Sequence, residues 1–359
     1  MAADCFALDG HKLFWHLDRV AAWQKDRLVP PIYVEISPLS YCNHQCIFCG
    51  LDFIRGERVI LETEVLLRRI EEMAALGVKS VMFAGEGEPL LHPDLPLIAA
   101  RAKEAGIDVS VTTNGMSGTT ELWEKLLPSL TWIRFSIDAA TSETYQVVHG
   151  VKPGAFQRTI ASLKEAMLAK QRQKLPVTVG VQFLMIRQNL QDIEPALSLY
   201  SGIGVDYLSF KPYSEHPQML NKSGFTYTRE MIDDIALKIE RFGTSGPTRI
   251  IFRKAATDAY AESAQKFSHC RALPFWGYIS SRGDFYSCSV YINDERFSVG
   301  NIYQTRMSEI LFGDKRGESI DFAEKELEID HECRVNCRMA RINEFLEFLD
   351  DKPEHINFI

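Results

Sequence analysis

Residues 33–49 read YVEISPLSYCNHQCIFC, a β-type apolar run followed at once by three closely spaced cysteines. The cysteines are Cys42, Cys46 and Cys49, and their spacing is Cys-x3-Cys-x2-Cys. Three thiolates in one tight loop suit an iron–sulfur cluster that keeps one iron without a protein ligand. A zinc site would need a fourth ligand nearby. His44 is the candidate, but its place between the first two cysteines gives poor ring geometry.

Around this stretch, β-type runs alternate with helical patterns from residue 32 to about 212. The predicted strands are Tyr33–Ser37, Ser80–Ala84, Asp108–Thr112, Trp132–Ile137, Val177–Leu184 and Tyr207–Lys211. The predicted helices are 62–76, 94–105, 119–127, 153–172 and 189–201. Such a series predicts an α/β fold with a parallel sheet and functional residues at the carboxyl ends of the strands. Periodicity alone leaves both an open sheet and a partial barrel possible.

The whole chain divides into four segments. Residues 1–31 predict a helical extension, 32–212 the core, 213–268 a helical connector and 269–359 a small C-terminal domain. The connector predicts helices over 228–242 and 254–267. The C-terminal domain predicts a hairpin and two helices, over Tyr278–Ser281, Phe285–Cys288, 306–313 and 338–349.

Composition restricts the classes of function. The 359 residues carry a net charge of −8, which gives no support to a nucleic-acid partner. No apolar run reaches the ~18 residues of a membrane-spanning helix, and the N-terminal stretch lacks a signal-peptide apolar block. We therefore expect a cytoplasmic protein with no membrane partner. A reducing compartment disfavours disulfides, so clustered cysteines indicate a metal site.

A second set of cysteines occupies the C-terminal domain. Cys270, Cys288, Cys333 and Cys337 supply four thiolates, which can fully ligate either a [4Fe–4S] cluster or a tetrahedral zinc ion. Their spacing alone does not decide between the two. The eighth cysteine, Cys5, stands alone.

The first cysteine motif, with aromatic Phe48 before its last cysteine, resembles the signature of the radical SAM superfamily. The resemblance extends over the six βα units and implies a partial (β/α)6 TIM-like barrel. It also implies a [4Fe–4S] cluster that binds S-adenosylmethionine (SAM) and cleaves it reductively to a 5′-deoxyadenosyl radical. An external one-electron reductant such as flavodoxin or ferredoxin is implied as a partner.

Polar residues at other predicted strand ends match this resemblance. Residues 83–89 read FAGEGEP and resemble the family's glycine–glutamate motif, which implies that Gly87 and Glu88 contact the SAM amino group. Glycine permits close backbone approach, and a carboxylate pairs with an ammonium group. The further implied cofactor-binding residues are Phe48, Asn114, Ser136 and Gln182. Each polar residue can also be read as a strand-end cap.

The C-terminal cysteines, with Gly283 five residues before Cys288, resemble the twitch domain, the short form of the SPASM domain. That resemblance implies one auxiliary [4Fe–4S] cluster held by Cys270, Cys288, Cys333 and Cys337. The overall pattern resembles dehydrogenases of the 2-deoxy-scyllo-inosamine type. The closing pair is Cys-x3-Cys here, where Cys-x2-Cys is more usual.

These resemblances imply an oxidoreductase that removes a hydrogen atom from a hydroxylated small molecule, such as a sugar, cyclitol or nucleoside. Two-electron oxidation through the auxiliary cluster is the expected outcome. Arg187, Lys211 and Tyr213 follow the fifth and sixth strands and are the candidate catalytic residues. Alternative outcomes are epimerisation, for which only Cys5 would remain as a thiol, and peptide modification, for which the lead-in is short. A metal-stabilised binding scaffold is the non-enzymatic alternative.

Overall fold

The computed structural model describes residues 12–54, 56–243, 246–262, 265–335, 337–350 and 354–357. Cys5 and the first eleven residues of the predicted N-terminal extension therefore lie outside the described residues. The described strands are β1 Tyr33–Ile36, β2 Ser80–Phe83, β3 Asp108–Thr113, β4 Trp132–Ser136, β5 Thr178–Met185, β6 Tyr207–Pro212, β7 Arg249–Phe252, β8 Trp276–Ile279, β9 Asp284–Tyr286 and β10 Ser298–Asn301.

Within the described residues, these strands form one sheet in the order β10-β9-β8-β1-β2-β3-β4-β5-β6-β7. All neighbours from β8 to β7 are parallel, while β9 pairs antiparallel with both β8 and β10. The predicted α/β architecture with a TIM-like barrel is confirmed.

Helices connect the successive parallel strands, and further helices precede β1 and follow β10. They are α1 Leu17–Asp26, α2 Thr63–Ala75, α3 Leu95–Glu104, α4 Thr120–Leu126, α5 Ser142–His149, α6 Ala155–Gln173, α7 Ile193–Ile203, α8 Arg229–Phe242, α9 Lys254–Glu262, α10 Met307–Phe312, α11 Asp314–Lys325, α12 Ile329–Glu332 and α13 Ala340–Asp350. Threonine caps begin several of them: the Thr119 side chain accepts from Leu122 N, and Thr228 does the same for α8. Gly77, after α2, has the positive φ of 91° that ends a helix.

Alternation along the strands separates an apolar face from a polar one. In β4, Ile133 and Phe135 are fully buried against the helices, whereas Arg134 and Ser136 on the opposite face are only partly buried. The same register continues to β5, where Ser136 pairs with Gln182. The inside of the curved sheet therefore carries polar side chains at its carboxyl end.

The C-terminal hairpin extends the core sheet. Trp276 pairs with Tyr33 and Ile279 with Ile36, so β8 lies beside β1. The elements that carry the second cysteine set therefore extend the sheet from β1, which is the strand that precedes the first cysteine set.

Several element boundaries differ from the predictions. Strands β7 and β10 and the helices α5, α11 and α12 were not predicted, and α9 ends at Glu262 rather than continuing to residue 267. Strand β7 is a short edge strand after a loop, and α5 is a two-turn helix separated from α6 by Gly150, whose φ is 59°. Among the described helices, none is both long and apolar enough to cross a bilayer.

Candidate functional site

The first cysteine loop lies at the carboxyl end of β1 and is anchored to the end of α5. Gln45 N donates to His149 O at 2.9 Å, and Ile47 N donates to Val148 O at 3.0 Å. Cys49 N donates to Cys46 O at 3.2 Å, which closes a tight turn. These bonds hold the three cysteines of the loop on one short segment above the barrel.

Polar groups from the end of β3 and from helix α5 lie beside the sulfur atoms of this loop. Asn114, at the end of β3, donates from Nδ2 to Cys42 Sγ at 3.7 Å and to Asn43 Oδ1 at 2.7 Å. The Nδ1 of His149 lies 3.1 Å from Cys46 Sγ. Partners of this kind orient metal ligands and tune their basicity. The structure therefore brings Asn114 to the loop, where the sequence predicts a cofactor contact.

His44 does not complete a zinc site with the loop. Its Nε2 lies 2.9 Å from the Tyr145 hydroxyl and its Nδ1 lies 3.1 Å from Asn43 Oδ1, so both ring nitrogens have partners away from the sulfurs. Burial lowers the pKa of His44 to about 4. The ring is neutral near pH 7 and packs beneath the loop.

Asp138 and His149 form a buried polar pair beneath the cysteine loop. Their Oδ2 and Nε2 atoms lie 3.6 Å apart, while the same Nε2 donates to Ile137 O at 2.6 Å. Burial lowers the pKa of His149 to about 3. Burial also raises the pKa of Asp138 to about 7, against the opposing hydrogen bond from Leu184 N at 2.5 Å.

The glycine–glutamate loop after β2 packs tightly against the first cysteine loop. A Cβ on Gly87 would lie 2.3 Å from Tyr41 O and 2.5 Å from Leu39 Cδ1, so only glycine fits there. The buried Glu88 carboxylate accepts from Thr113 Oγ1 at 2.5 Å, from Asn114 N at 2.7 Å and from Leu90 N at 3.0 Å.

The three donors around Glu88 give that side chain a positioning role between β2 and β3, so the SAM contacts of Gly87 and Glu88 stay predictions. Glu86, in the same loop, is bound from the C-terminal hairpin. It accepts from Tyr278 Oη and from Ser281 N, each at 3.1 Å. Both glutamates of the motif therefore have protein partners. Tyr278 is buried and donates a hydrogen bond to Glu86.

A cavity of about 250 Å³ lies between the two cysteine-bearing regions. Phe48 and Gly50 of the first loop, Gln182 of β5 and Cys337 of the second set all line it. Ser136, the cross-strand partner of Gln182, sits one strand away. The structure thus places the predicted residues Phe48, Gln182 and Ser136 at one end of the barrel.

The four C-terminal cysteines line a second, smaller cavity with apolar walls. Burial, and then repulsion from the neighbouring Cys337 thiolate, raises the pKa of Cys270 to about 12. The pKa of Cys288 is raised in the same way, by burial and then by Cys337 and Cys270. This mutual repulsion indicates sulfurs that face a common space, where a cationic centre would stabilise the deprotonated forms. The donor set therefore fits an all-thiolate cluster.

Among the described residues, no three His, Cys, Asp or Glu side chains are grouped tightly enough to hold a single metal ion. In the first loop, Cys42, Cys46 and Cys49 are free thiols, and no disulfide removes any of them. Donors directed at Cys42 and a ring nitrogen beside Cys46 are suited to thiolate ligands, so these residues fit a cluster as well.

The predicted catalytic residues have different surroundings. Lys211 lines the 250 Å³ cavity, and burial followed by nearby arginines lowers its pKa well below the usual value. Tyr213 also lines the cavity, but its hydroxyl donates to Met219 Sδ at 3.0 Å. Arg187 lies outside the set of cavity-lining residues and stacks over the Phe225 ring at 5.8 Å. The structure therefore brings the partly buried Lys211 to the cavity but does not bring Arg187 there.

Sequence reasoning missed a group of basic residues around Lys211. Arg134 and Arg253 lie close enough to disfavour its charged form electrostatically, as do Arg334 and Arg338 in the loop of the second cysteine set. Arg338 pairs with the buried Glu35 on β1. Arg334 and Arg338 stand directly beside Cys333 and Cys337 in the sequence, which is the signal that could have drawn attention to them.

Two family models match the chain. The model described as the radical SAM superfamily matches residues 36–200, and the SPASM model, described as an iron–sulfur cluster-binding domain, matches residues 270–338. The first match includes Cys42, Cys46 and Cys49, and the second includes all four C-terminal cysteines.

Curated relatives include a probable GTP 3′,8-cyclase from Saccharolobus islandicus, 31% identical over 202 residues. The match covers 56% of this chain and 62% of that relative, so it spans less than two thirds of the relative's length. A second probable GTP 3′,8-cyclase, from Saccharolobus solfataricus, is 32% identical over 203 residues, with coverage of 56% and 62%.

Among solved structures, SuiB from Streptococcus suis bound to its precursor peptide SuiA has a TM-score of 0.68. Its identity is 19%, and the match covers 95% of this chain and 78% of SuiB, so the likeness concerns the fold. The matched domains imply a [4Fe–4S] cluster with SAM in the first region and auxiliary iron–sulfur chemistry in the second.

Proposed function

Because the chain carries a radical SAM domain followed by a SPASM iron–sulfur domain, we propose that it oxidises a hydroxylated small molecule bound between the two cysteine sets. One observation carries this proposal: a single cavity is lined by Phe48 of the first loop, Lys211 of β6 and Cys337 of the second set. A substrate in this cavity lies next to both cofactor regions.

Cys42, Cys46 and Cys49 would hold the SAM-binding cluster, and Cys270, Cys288, Cys333 and Cys337 the auxiliary one. When bound, the first cluster and SAM supply a hydrogen-abstracting 5′-deoxyadenosyl radical, and the auxiliary cluster supplies a one-electron acceptor. The reaction also requires an external one-electron reductant.

Lys211 is the proposed base for the substrate hydroxyl. It is partly buried on the inner face of β6, and its pKa is well below the usual value because of burial and of repulsion from Arg134 and other arginines. An uncharged amine can accept a proton, whereas an ammonium cannot. Asp138, with a pKa raised to about 7 by burial, lies near enough to interact with Lys211 electrostatically.

The size of the cavity supports a small substrate. Its volume of about 250 Å³ lies just below the ~300–1,000 Å³ usual for small-molecule sites. The curated relatives are named for a reaction of GTP, a hydroxylated nucleotide, which supports the same class of substrate. A peptide would have to place one side chain in this space.

The test uses anaerobic, iron-reconstituted protein with SAM, dithionite and a panel of sugars, cyclitols and nucleosides deuterated at their carbinol carbons. We expect deuterium in 5′-deoxyadenosine and a ketone product with one class. The Lys211→Met variant should still cleave SAM but form at least about tenfold less ketone. Label transfer from peptides alone would contradict the proposal.

A further inference from the structure

Basic side chains dominate the 250 Å³ cavity between the two cysteine sets. Among the described residues, six basic side chains and one acidic side chain line it: Lys211, Arg253, Lys266, Arg334, Arg338, Arg341 and Glu344. This excess contrasts with the overall net charge of −8. A local charge opposite to that of the whole chain indicates a feature of the cavity itself.

Two of these charges are neutralised by the protein. Arg341 Nη1 lies 2.6 Å from Glu344 Oε2, and Arg338 pairs with the buried Glu35. Arg338 also donates to Tyr33 Oη at 3.4 Å. These two guanidinium groups therefore have local counter-charges.

Arg334 is fixed in place without a carboxylate partner in the described part of the chain. Its Nε donates to Ser214 Oγ at 3.0 Å, and its Nη2 donates to Ser214 O. Gln265 Nε2 donates to the Arg334 carbonyl at 2.8 Å, which restrains the backbone as well. Neutral oxygen acceptors orient this guanidinium, and the anionic group that acts on it most strongly is the deprotonated Cys337 thiol rather than a carboxylate.

Lys211 has no hydrogen-bond partner for its Nζ among the described residues, although it is surrounded by arginines. Arg134 is close by on β4, with Nη2 donating to Thr112 Oγ1 at 3.1 Å and a buried Nε that has no partner in the described structure. Clustering unpaired cations away from water is costly, and a bound anion removes that cost.

We propose that the substrate carries an oxyanion, a phosphate or a carboxylate, which binds Lys211 and Arg334 in this cavity. The inference rests on the proposed function, whose substrate class it narrows. Arginine and lysine are the groups that bind such oxyanions through charge-assisted hydrogen bonds. Because the pKa of Lys211 is lowered, its amine is uncharged: it can donate an N–H to the oxyanion and keep its lone pair for the proton of the substrate hydroxyl. The adjacent anion then stabilises the ammonium group that forms.

Anion binding is measured by anaerobic calorimetry on the reconstituted full chain, with SAM at saturation so that the SAM carboxylate cannot account for the signal. Pyrophosphate and citrate are titrated in separate arms at constant ionic strength. We expect saturable binding of at least one of them, which identifies the oxyanion as phosphate or carboxylate. Lys211→Met and Arg334→Gln should each weaken that binding about tenfold.

Arg101→Gln is the matched control, because Arg101 is an exposed arginine paired with Glu71 and Glu104 on the outer helices. It should bind like the unmodified chain. If Arg334→Gln fails to fold after losing its Ser214 contacts, Lys211→Met alone decides. Absence of binding to either anion, or equal binding by the variants, overturns the inference.

Formation of 5′-deoxyadenosine, measured separately without anion, distinguishes the two proposals. If SAM is not cleaved while pyrophosphate or citrate binds through Lys211, the proposed reaction fails and the oxyanion site stands. If SAM is cleaved and neither anion binds, the oxyanion site fails and the proposed reaction stands.

Discussion

Tyr278 donates its hydroxyl hydrogen to Glu86 Oε1 at 3.1 Å. The bond joins the C-terminal hairpin to the glycine–glutamate loop, and both residues are far apart in the sequence. Ser281 N donates to the same carboxylate oxygen at 3.1 Å. This polar contact therefore adds to the β1–β8 pairing that places the second cysteine set beside the first.

The Tyr278→Phe substitution should destabilise the protein by about 1–2 kcal/mol. It removes one hydrogen bond to a carboxylate that burial keeps away from water, and leaves the ring packing unchanged. The measurement is anaerobic thermal unfolding of the reconstituted protein. Tyr303→Phe is the control, since its half-exposed hydroxyl accepts only from Glu62 N at 3.0 Å. Equal melting temperatures for the two variants would refute the contribution of the Tyr278 contact.

Replacing Gly87 with alanine should impair the first site. The new Cβ would lie 2.3 Å from Tyr41 O, so the loop that carries the first cysteines must shift, at a cost of about 1–3 kcal/mol. We expect weaker SAM binding, measured by calorimetry, and a lower melting temperature. Gly202→Ala, where no atom lies within 4 Å in helix α7, should be neutral or stabilising. Unchanged SAM affinity in the Gly87 variant would contradict the close packing.

Stability should depend on pH through Asp138. Burial raises its pKa to about 7 in the folded chain, against about 3.9 when unfolded, so folding takes up a proton between these values. Stability is therefore greatest at low pH within this window and falls as the pH rises towards 7.

The Asp138→Asn variant removes this titration and keeps an oxygen that can accept from Leu184 N. Asparagine also tolerates the positive φ of 49° at this position. Relative to the variant, the unmodified chain should lose about 1–2 kcal/mol of stability between pH 5.5 and 7. The measurement is urea unfolding at each pH. Parallel pH curves for the two proteins would exclude an elevated pKa at Asp138.

The core of the fold was predictable because its signals are local. The runs at Ser80–Phe83 and Trp132–Ser136 carry alternating or continuous apolar residues, and glycines such as Gly77 end the intervening helices. The pairing of Trp276 with Tyr33, by contrast, joins segments far apart in the chain. No periodicity within either segment indicates that the hairpin would continue the core sheet.

The cysteines of the candidate site were predictable from spacing, but its charge was not. Arg334 and Arg338 lie between and beside the last two cysteines, where a sequence pattern suggests only solvent-exposed loop residues. Tertiary contacts orient their side chains: Arg334 contacts Ser214, and Arg338 pairs with Glu35. Arg187 does not line the cavity because a tertiary contact, the packing of its side chain on Phe225, directs it elsewhere.

The central claim is that Cys42, Cys46 and Cys49 hold the cluster that cleaves SAM, and that a separate set holds the auxiliary cluster. The decisive measurement is iron content together with 5′-deoxyadenosine formation in a Cys42→Ala, Cys46→Ala and Cys49→Ala triple variant. We expect about eight irons in the unmodified chain and about four in the variant, which should form no 5′-deoxyadenosine. A triple variant that still cleaves SAM at the rate of the unmodified chain would contradict the claim.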